Sequence, residues 1–251
     1  MRQFALESKS GEVYDLNDLA NFLHDPNGLG FRRNTEYRKI GQNYEVVQDA
    51  FEQPDPMAYI CFKDSKKSPA YQKYEAFTRF LQDVPHILHY YASRHYKMRV
   101  MPREVTKTEI TKPLGLDVSI ALTGLSMWYE DVEADGIDTL TILSDSRNTS
   151  GCHIEITGEL ENPEWTHSVN GVTVTGQVNV TLNAGDTLHI RTDSNPYQLY
   201  KTDALGFPTD LYQNSNFSTE RFILLDYGEN VISCEGAASI KVTGRVIYET
   251  V

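Results

Sequence analysis

Residues 172–182 read VTVTGQVNVTL, a pattern that only a strand can use. Val172, Val174, Val178, Val180 and Leu182 fall on one face of an extended chain, and Thr173, Thr175, Gln177, Asn179 and Thr181 fall on the other. A helix would scatter these apolar positions around its circumference, so the stretch commits to a sheet with one dry and one wet face. Asn183, Ala184, Gly185 and Asp186 then supply turn chemistry, and Leu188 and Ile190 resume the alternation. The spacing predicts a hairpin. Ile154 and Ile156, residues 222–225, and Ile240, Val242, Val246 and Tyr248 predict further strands. Short strands separated by Gly, Asn and Asp turns point to a β-sandwich or jelly roll in the C-terminal half.

The N-terminal half is mixed. Tyr71, Tyr74, Phe77, Phe80, Leu81 and Val84 recur at intervals of three and four and form one apolar stripe of a helix. Ser68 is placed to cap it, Pro69 suits its first turn, and Pro85 stops it. Strand-like runs surround it at 57–62, 87–91, 96–100 and 116–122, the last with Leu116, Val118, Ile120 and Leu122 on one face. Residues 25–41, DPNGLGFRRNTEYRKIG, are rich in Gly and Arg and read as an extended loop or projecting arm.

Charge divides the 251 residues. Residues 1–127 carry a balance of +1 and residues 128–251 one of −13, giving the net −12. Such a step marks two domains in different surroundings, 1–128 and 129–251, joined near an acidic, turn-rich stretch at 128–136. The acidity and the lack of Lys/Arg clusters argue against nucleic-acid binding, which draws most of its affinity from phosphate neutralisation. Cys61, Cys152 and Cys234 are scattered and odd in number, so neither a disulfide framework nor a cysteine zinc site is expected, and assembly in a reducing cytoplasm is the simpler reading. The opening MRQFALESKSGEVYD lacks the apolar core of a secretory leader. The longest weakly polar run, 118–129, is far short of the roughly 20 residues a membrane helix needs.

Candidate chemistry thins out on inspection. Asp131, Glu133, Asp135 and Gly136 resemble the start of a calcium loop, but its twelfth position is Ile142 where a bidentate Glu belongs, and the stretch reads as a solvated acidic hinge. His86, His89 and His95 follow Pro85 into extended structure, where residues three apart point to opposite faces, so His86 and His89 do not share a metal. There is no G-x-S-x-G elbow, no phosphate loop and no dinucleotide fingerprint. Glu155, Glu159, Glu161 and Glu164 lie in a β region with nothing to set them across a cleft. No catalytic residue, metal or cofactor is expected. Trp165, Tyr197, Tyr200 and Tyr212 fall in loop-like stretches, as core rims or as surfaces for a protein or a sugar ring.

Together the segments resemble the distal tail protein (Dit) family of long-tailed phages infecting Gram-positive hosts. RQFALESKSGEVYDLND is similar to the family's opening strand, glycine turn and second strand; FLHDPNGLGF to its proline and Gly-Leu-Gly stretch; and YQKYEAFTRFL followed by ILHYY to its helix and short strand. KTEI and LSMWYE match the passage out of its first domain, and LNAGDTLHIRTD and LDYGENVI resemble its second-domain hairpins.

The resemblance implies a mainly β protein. Its N-terminal β-sandwich would carry one α-helix and an extended arm, followed by a galectin-like jelly roll. It implies a non-enzymatic structural protein of the virion, built in the host cytoplasm, whose six copies form a ring at the distal end of the tail. The ring would join the tail tube protein to a tail-associated fibre or lysin protein and to peripheral baseplate or receptor-binding proteins. Genome DNA would pass through without specific binding, and no membrane is involved. Leu29, Phe31, Arg32, Arg33 and Tyr37 would belong to the arm at the oligomer interface, with Phe31 as apolar anchor and both arginines facing a neighbour's carboxylates. Trp165, Tyr197 and Tyr200 would contact a partner or a sugar, and the alternative function is a carbohydrate-binding module for host cell-wall sugars.

Overall fold

Apolar–polar alternation sets most of the chain into antiparallel strands. The computed structural model describes residues 3–17, 21–63, 67–110, 115–249 and 251. The chain forms two compact units, Met1–Tyr129 with Glu249–Val251, and Glu130–Tyr248.

The first unit contains β1 (Gln3–Glu7), β2 (Val13–Asp15), β3 (Asn21–Asn27), β4 (Arg32–Ile40), β5 (Asn43–Glu52), β6 (Met57–Lys63), α1 (Lys67–Phe80), β7 (His86–Tyr91), β8 (His95–Ile110), β9 (Gly115–Gly124) and the start of β10 (Trp128–Gly136). Its main sheet runs β2-β1-β7-β8-β9-β6-β3, every pair antiparallel. The 16-residue β8 serves three neighbours: residues 95–100 pair with β7, residues 100–110 with β9, and Lys97 with Tyr129 of β10. Its register slips between Pro102 and Glu104, where a proline without an N–H is tolerated because a bulge interrupts the ladder. Leu116, Val118, Ile120 and Leu122 are all buried, as their alternation requires.

Helix α1 turns Ala70, Phe77 and Phe80 inward, with the Phe77 ring 5.6 Å from Phe62 and 5.0 Å from Tyr14. Tyr71 and Tyr74 sit at its margin beneath the Lys107 ammonium, at 4.9 and 5.5 Å. The helix already includes Lys67, and the side chain of Ser68, the expected cap, lies outside the described residues. It ends at Phe80, short of Val84, because Leu81 and Asp83 fold into a tight turn on the Phe77 and Phe80 carbonyls.

The second unit continues β10 and adds β11 (Thr139–Ser144), β12 (Ser150–Thr157), β13 (Leu160–Glu161), β14 (Glu164–Val169), β15 (Val172–Gln177), β16 (Thr181–Leu182), β17 (Thr187–Arg191), β18 (Gln198–Thr202), β19 (Pro208–Asp210), a short 3₁₀ turn at Tyr212–Asn214, β20 (Leu224–Leu225), β21 (Gly228–Ser233) and β22 (Ser239–Tyr248). One sheet runs β10-β22-β12-β17-β18-β19 and another β11-β21-β14-β15. They share one core, with Ile154, Ile156, Leu188, Ile190, Ile240 and Val242 from the first meeting Leu140, Ile142, Trp165 and Ile232 from the second.

Two expectations change here. The stretches 172–182 and 187–191 do not form a hairpin: β15 pairs with β14, β16 with β13, and β17 with β12 and β18. Alternation fixes which face of a strand is dry but not which strand lies beside it. Nor is the acidic segment 131–136 a hinge. It is the outer half of β10, with Val132 and Ala134 packed on the core, Asp131 bound to Arg245 at 3.3 Å and Glu133 to Lys241 at 2.6 Å. The fold is mainly β with a single α-helix among the described residues, and none of these elements is a helix long and apolar enough to cross a membrane.

Candidate functional site

The arm expected at residues 25–41 is a β-hairpin instead of a loop, and it is longer than expected, because β5 is its second strand. Nine residue pairs run from Arg32↔Glu52 to Ile40↔Asn43, interrupted by a bulge between Glu36 and Tyr37. Gly41, at φ +63°, opens the two-residue turn, whose first position demands a positive φ. The space around it is open, so backbone conformation and not crowding is what calls for glycine there. Every residue from 36 to 50 is exposed. Tyr37 and Val46 face each other across the strands and are 64% and 56% exposed, beside Tyr44 at 68% and Val47 at 62%. Ile40 is exposed near the tip. An isolated two-stranded hairpin is marginal in water, and among the described residues Tyr37, Ile40, Tyr44, Val46 and Val47 all remain exposed.

The arm is anchored at its root. Trp128, fully buried, donates from Nε1 to the Leu29 carbonyl at 2.9 Å. The Leu29 side chain is half-buried, lining a small apolar pocket with Leu23, Pro26, Leu88 and Leu122. Leu29 therefore holds the arm to its own unit. Phe31, by contrast, is exposed where the hairpin begins. The Arg33 guanidinium forks onto Asp49 of the same hairpin, with Nε 2.6 Å from Oδ1, and Thr35 donates to that oxygen at 3.0 Å. The Arg33 contact holds the Asp49 carboxyl below the usual carboxylate range. The strand pairing gives this reason directly, since β4 and β5 set residues 33, 35 and 49 on one face. The Arg32 side chain lies outside the described residues. Ile40, Tyr44, Val46 and Val47 were not anticipated; the signal was the Ile-Gly-Gln-Asn tetrapeptide, a turn between two strands, which extends the arm past Gly41.

The aromatic candidates of the second unit separate. Trp165 is 1% exposed and belongs to the core, where its ring occupies the space a side chain at position 176 would need; the ideal Cβ at Gly176 falls 2.4 Å from the indole. It is not a surface contact, because its position on β14 faces the opposite sheet. Tyr197 and Tyr200 line an open cleft of about 1490 Å³ together with Asp193, Asp210, Tyr212 and Phe222. Arg221 lies over the Tyr212 and Phe217 rings at 5.0 and 4.4 Å. Arg191 grips Asp193 through two bonds of 3.0 and 2.9 Å and holds its carboxyl below the ordinary value. The cleft thus offers aromatic faces with acidic groups at its edge.

The histidines that follow Pro85 are structural. His86 is buried beneath Phe80, with Nε2 3.3 Å from the Phe80 carbonyl. His89 sits between Glu7 and His95, which contact opposite nitrogens of its ring at 2.9 and 2.8 Å. That arrangement is linear, and its donors do not converge on one point.

Residues 3–125 match the family described as "Distal tail protein, N-terminal domain". Among solved structures, the chain is similar to one in the phage P2 baseplate in its activated conformation with Ca, at TM-score 0.62 and 12% identity over 100% of both chains. It is also similar to the SPP1 Dit (gp 19.1) protein, described as a paradigm of hub adsorption apparatus in Gram-positive infecting phages, at TM-score 0.68 and 11% identity over 96% of this chain and 98% of that one. No curated protein matches the sequence.

Proposed function

The chain belongs to the phage distal tail protein family, and from that membership we propose that six copies close into a ring at the distal end of the tail through their β4–β5 arms. It is a baseplate component of the virion. The exposed hairpin carries the ring reading. Phe31, Tyr37, Ile40, Tyr44, Val46 and Val47 are exposed and present apolar surface, and a neighbour in a closed ring covers it identically at every joint. Such a heterologous contact satisfies all copies at once, without self-complementarity. The assembled ring joins the tail tube protein to a tail-associated fibre or lysin protein, and the acidic second unit offers docking surface to peripheral baseplate or receptor-binding proteins. DNA passes the ring ungripped, since the family role needs a conduit and the chain lacks basic clusters. The protein acts by shape and catalyses nothing. Assembly takes place in the host cytoplasm. A native mass spectrum of the purified chain tests this reading: a sixfold or twelvefold mass is expected, and a single-chain mass at all concentrations refutes the ring.

The cleft favours one second reading, a carbohydrate-binding module. Tyr197 and Tyr200 present rings in a recess large enough for a sugar residue. Binding to host wall polysaccharide that is lost on Tyr197→Ala supports it, and silence across such polysaccharides removes it.

A further inference from the structure

Three donor-bearing side chains in the second unit converge where no metal was expected. His153 and Glu155 are two apart on β12 and share its outer face, and β17 places His189 directly opposite Glu155. His153 Nε2 lies 3.0 Å from His189 Nδ1; a Glu155 carboxylate oxygen lies 3.5 Å from His189 Nδ1 and 3.9 Å from His153 Nε2. From this geometry we propose that His153, Glu155 and His189 form a binding site for a borderline divalent transition metal, with zinc as the best fit.

The distances carry the argument. Ligand bonds of about 2.0–2.1 Å in a tetrahedral site put donor atoms about 3.3 Å apart, and the three observed separations bracket that value. Two imidazoles and one carboxylate suit zinc and its neighbours better than the oxygen-seeking calcium or magnesium. The outer shell is in place as well. Thr202 Oγ1 lies 2.9 Å from His189 Nε2, so metal on Nδ1 leaves Nε2–H donating to that hydroxyl and fixes the tautomer. The Tyr200 ring stacks on His189 at 4.5 Å and 13°, which holds the imidazole plane. The neighbouring cations each have an anionic partner. Arg191, across from His153, is paired with Asp193, and Lys241, across from Glu155, is bound to Glu133. Without metal, one imidazole N–H bridges the two histidines, and binding replaces that proton by a shift of the His153 tautomer. Three protein ligands leave a fourth position for water.

The Glu7–His89–His95 line is the natural control, because its donors diverge. Calorimetric titration of the full chain with zinc chloride should show one equivalent bound, and cobalt should give the intense visible absorption of a tetrahedral site. His153→Ala and Glu155→Gln should each weaken zinc by about tenfold or more, and Thr202→Val by about tenfold, the effect of losing an outer-shell partner. His95→Ala should leave it unchanged. Thermal melts without zinc establish that each variant folds, and the half-exposed Glu155 keeps the test available should His153→Ala fail. Absence of zinc uptake by the wild type, or equal uptake by Glu155→Gln and wild type, overturns the site. Neither result bears on ring formation, which is read separately by mass.

Discussion

The Trp128 indole nitrogen donates to the Leu29 carbonyl, 2.9 Å away, and so ties the end of the first unit's core to the root of the exposed arm. Trp128→Phe keeps most of the apolar volume but leaves that carbonyl without its donor. A loss of about 1–3 kcal/mol is expected in urea unfolding. Limited proteolysis should cut sooner near residues 28–31.

Tyr37 and Val46 face each other on one side of the hairpin, both in solvent. Tyr37→Glu with Val46→Lys sets opposite charges across the pair and should leave the melting temperature of the single chain nearly unchanged, since exposed positions shift stability by about 0.5 kcal/mol or less. Light scattering should report collapse of the assembled mass to that of one chain. An assembled mass equal to the wild type's removes these residues from the interface.

Arg33 and Asp49 form a pair within the hairpin, so their charges should be exchangeable. Arg33→Glu should speed amide exchange along β4 and β5, and adding Asp49→Arg should slow it again. Failure of the second change to restore slow exchange removes the pair as a stabilising contact of the arm.

Asn230 is fully buried and its side-chain amide joins five groups, among them the Ile142 carbonyl, 3.4 Å from Nδ2. Its Nδ2 donates to the Asp226 and Gly228 carbonyls at 2.8 and 3.1 Å, while Oδ1 accepts from the Asp226 amide at 3.0 Å and faces His167 Nε2 at 3.0 Å. Asn230→Leu leaves these groups buried without partners. A destabilisation of about 2–4 kcal/mol is expected in thermal or urea melts.

Burial pushes the His86 imidazole below its ordinary pKa, against smaller raising effects from the Phe80 carbonyl and Asp83. A depressed folded value means that the unfolded chain takes up the proton first as pH falls. The contribution of His86 is therefore complete above about pH 6.5 and is lost below it. The stability difference between wild type and His86→Leu should shift against the wild type from pH 7.5 to pH 5. A difference independent of pH would show that the imidazole titrates alike in both states.

The apolar periodicities alone determined the mainly β character, the helix stripe through Phe77 and Phe80, and the dry face of Leu116, Val118, Ile120 and Leu122, because burial of every second or every third to fourth residue is a local demand. Pairing was not local. The same alternation at 172–182 fits any neighbour of suitable register, so only the packed sheets sent β15 to β14 and β17 to β12. The aromatic candidates show the same limit: Trp165 and Tyr197 are both aromatic residues in turn-rich sequence, yet one fills the space above Gly176 and the other lines a cleft. His153 and Glu155 lie two apart and share a face by strand geometry, but His189 is 34 residues beyond Glu155 in the chain. Its arrival beside them depends on strand register, a property of the assembled sheet that no single segment encodes.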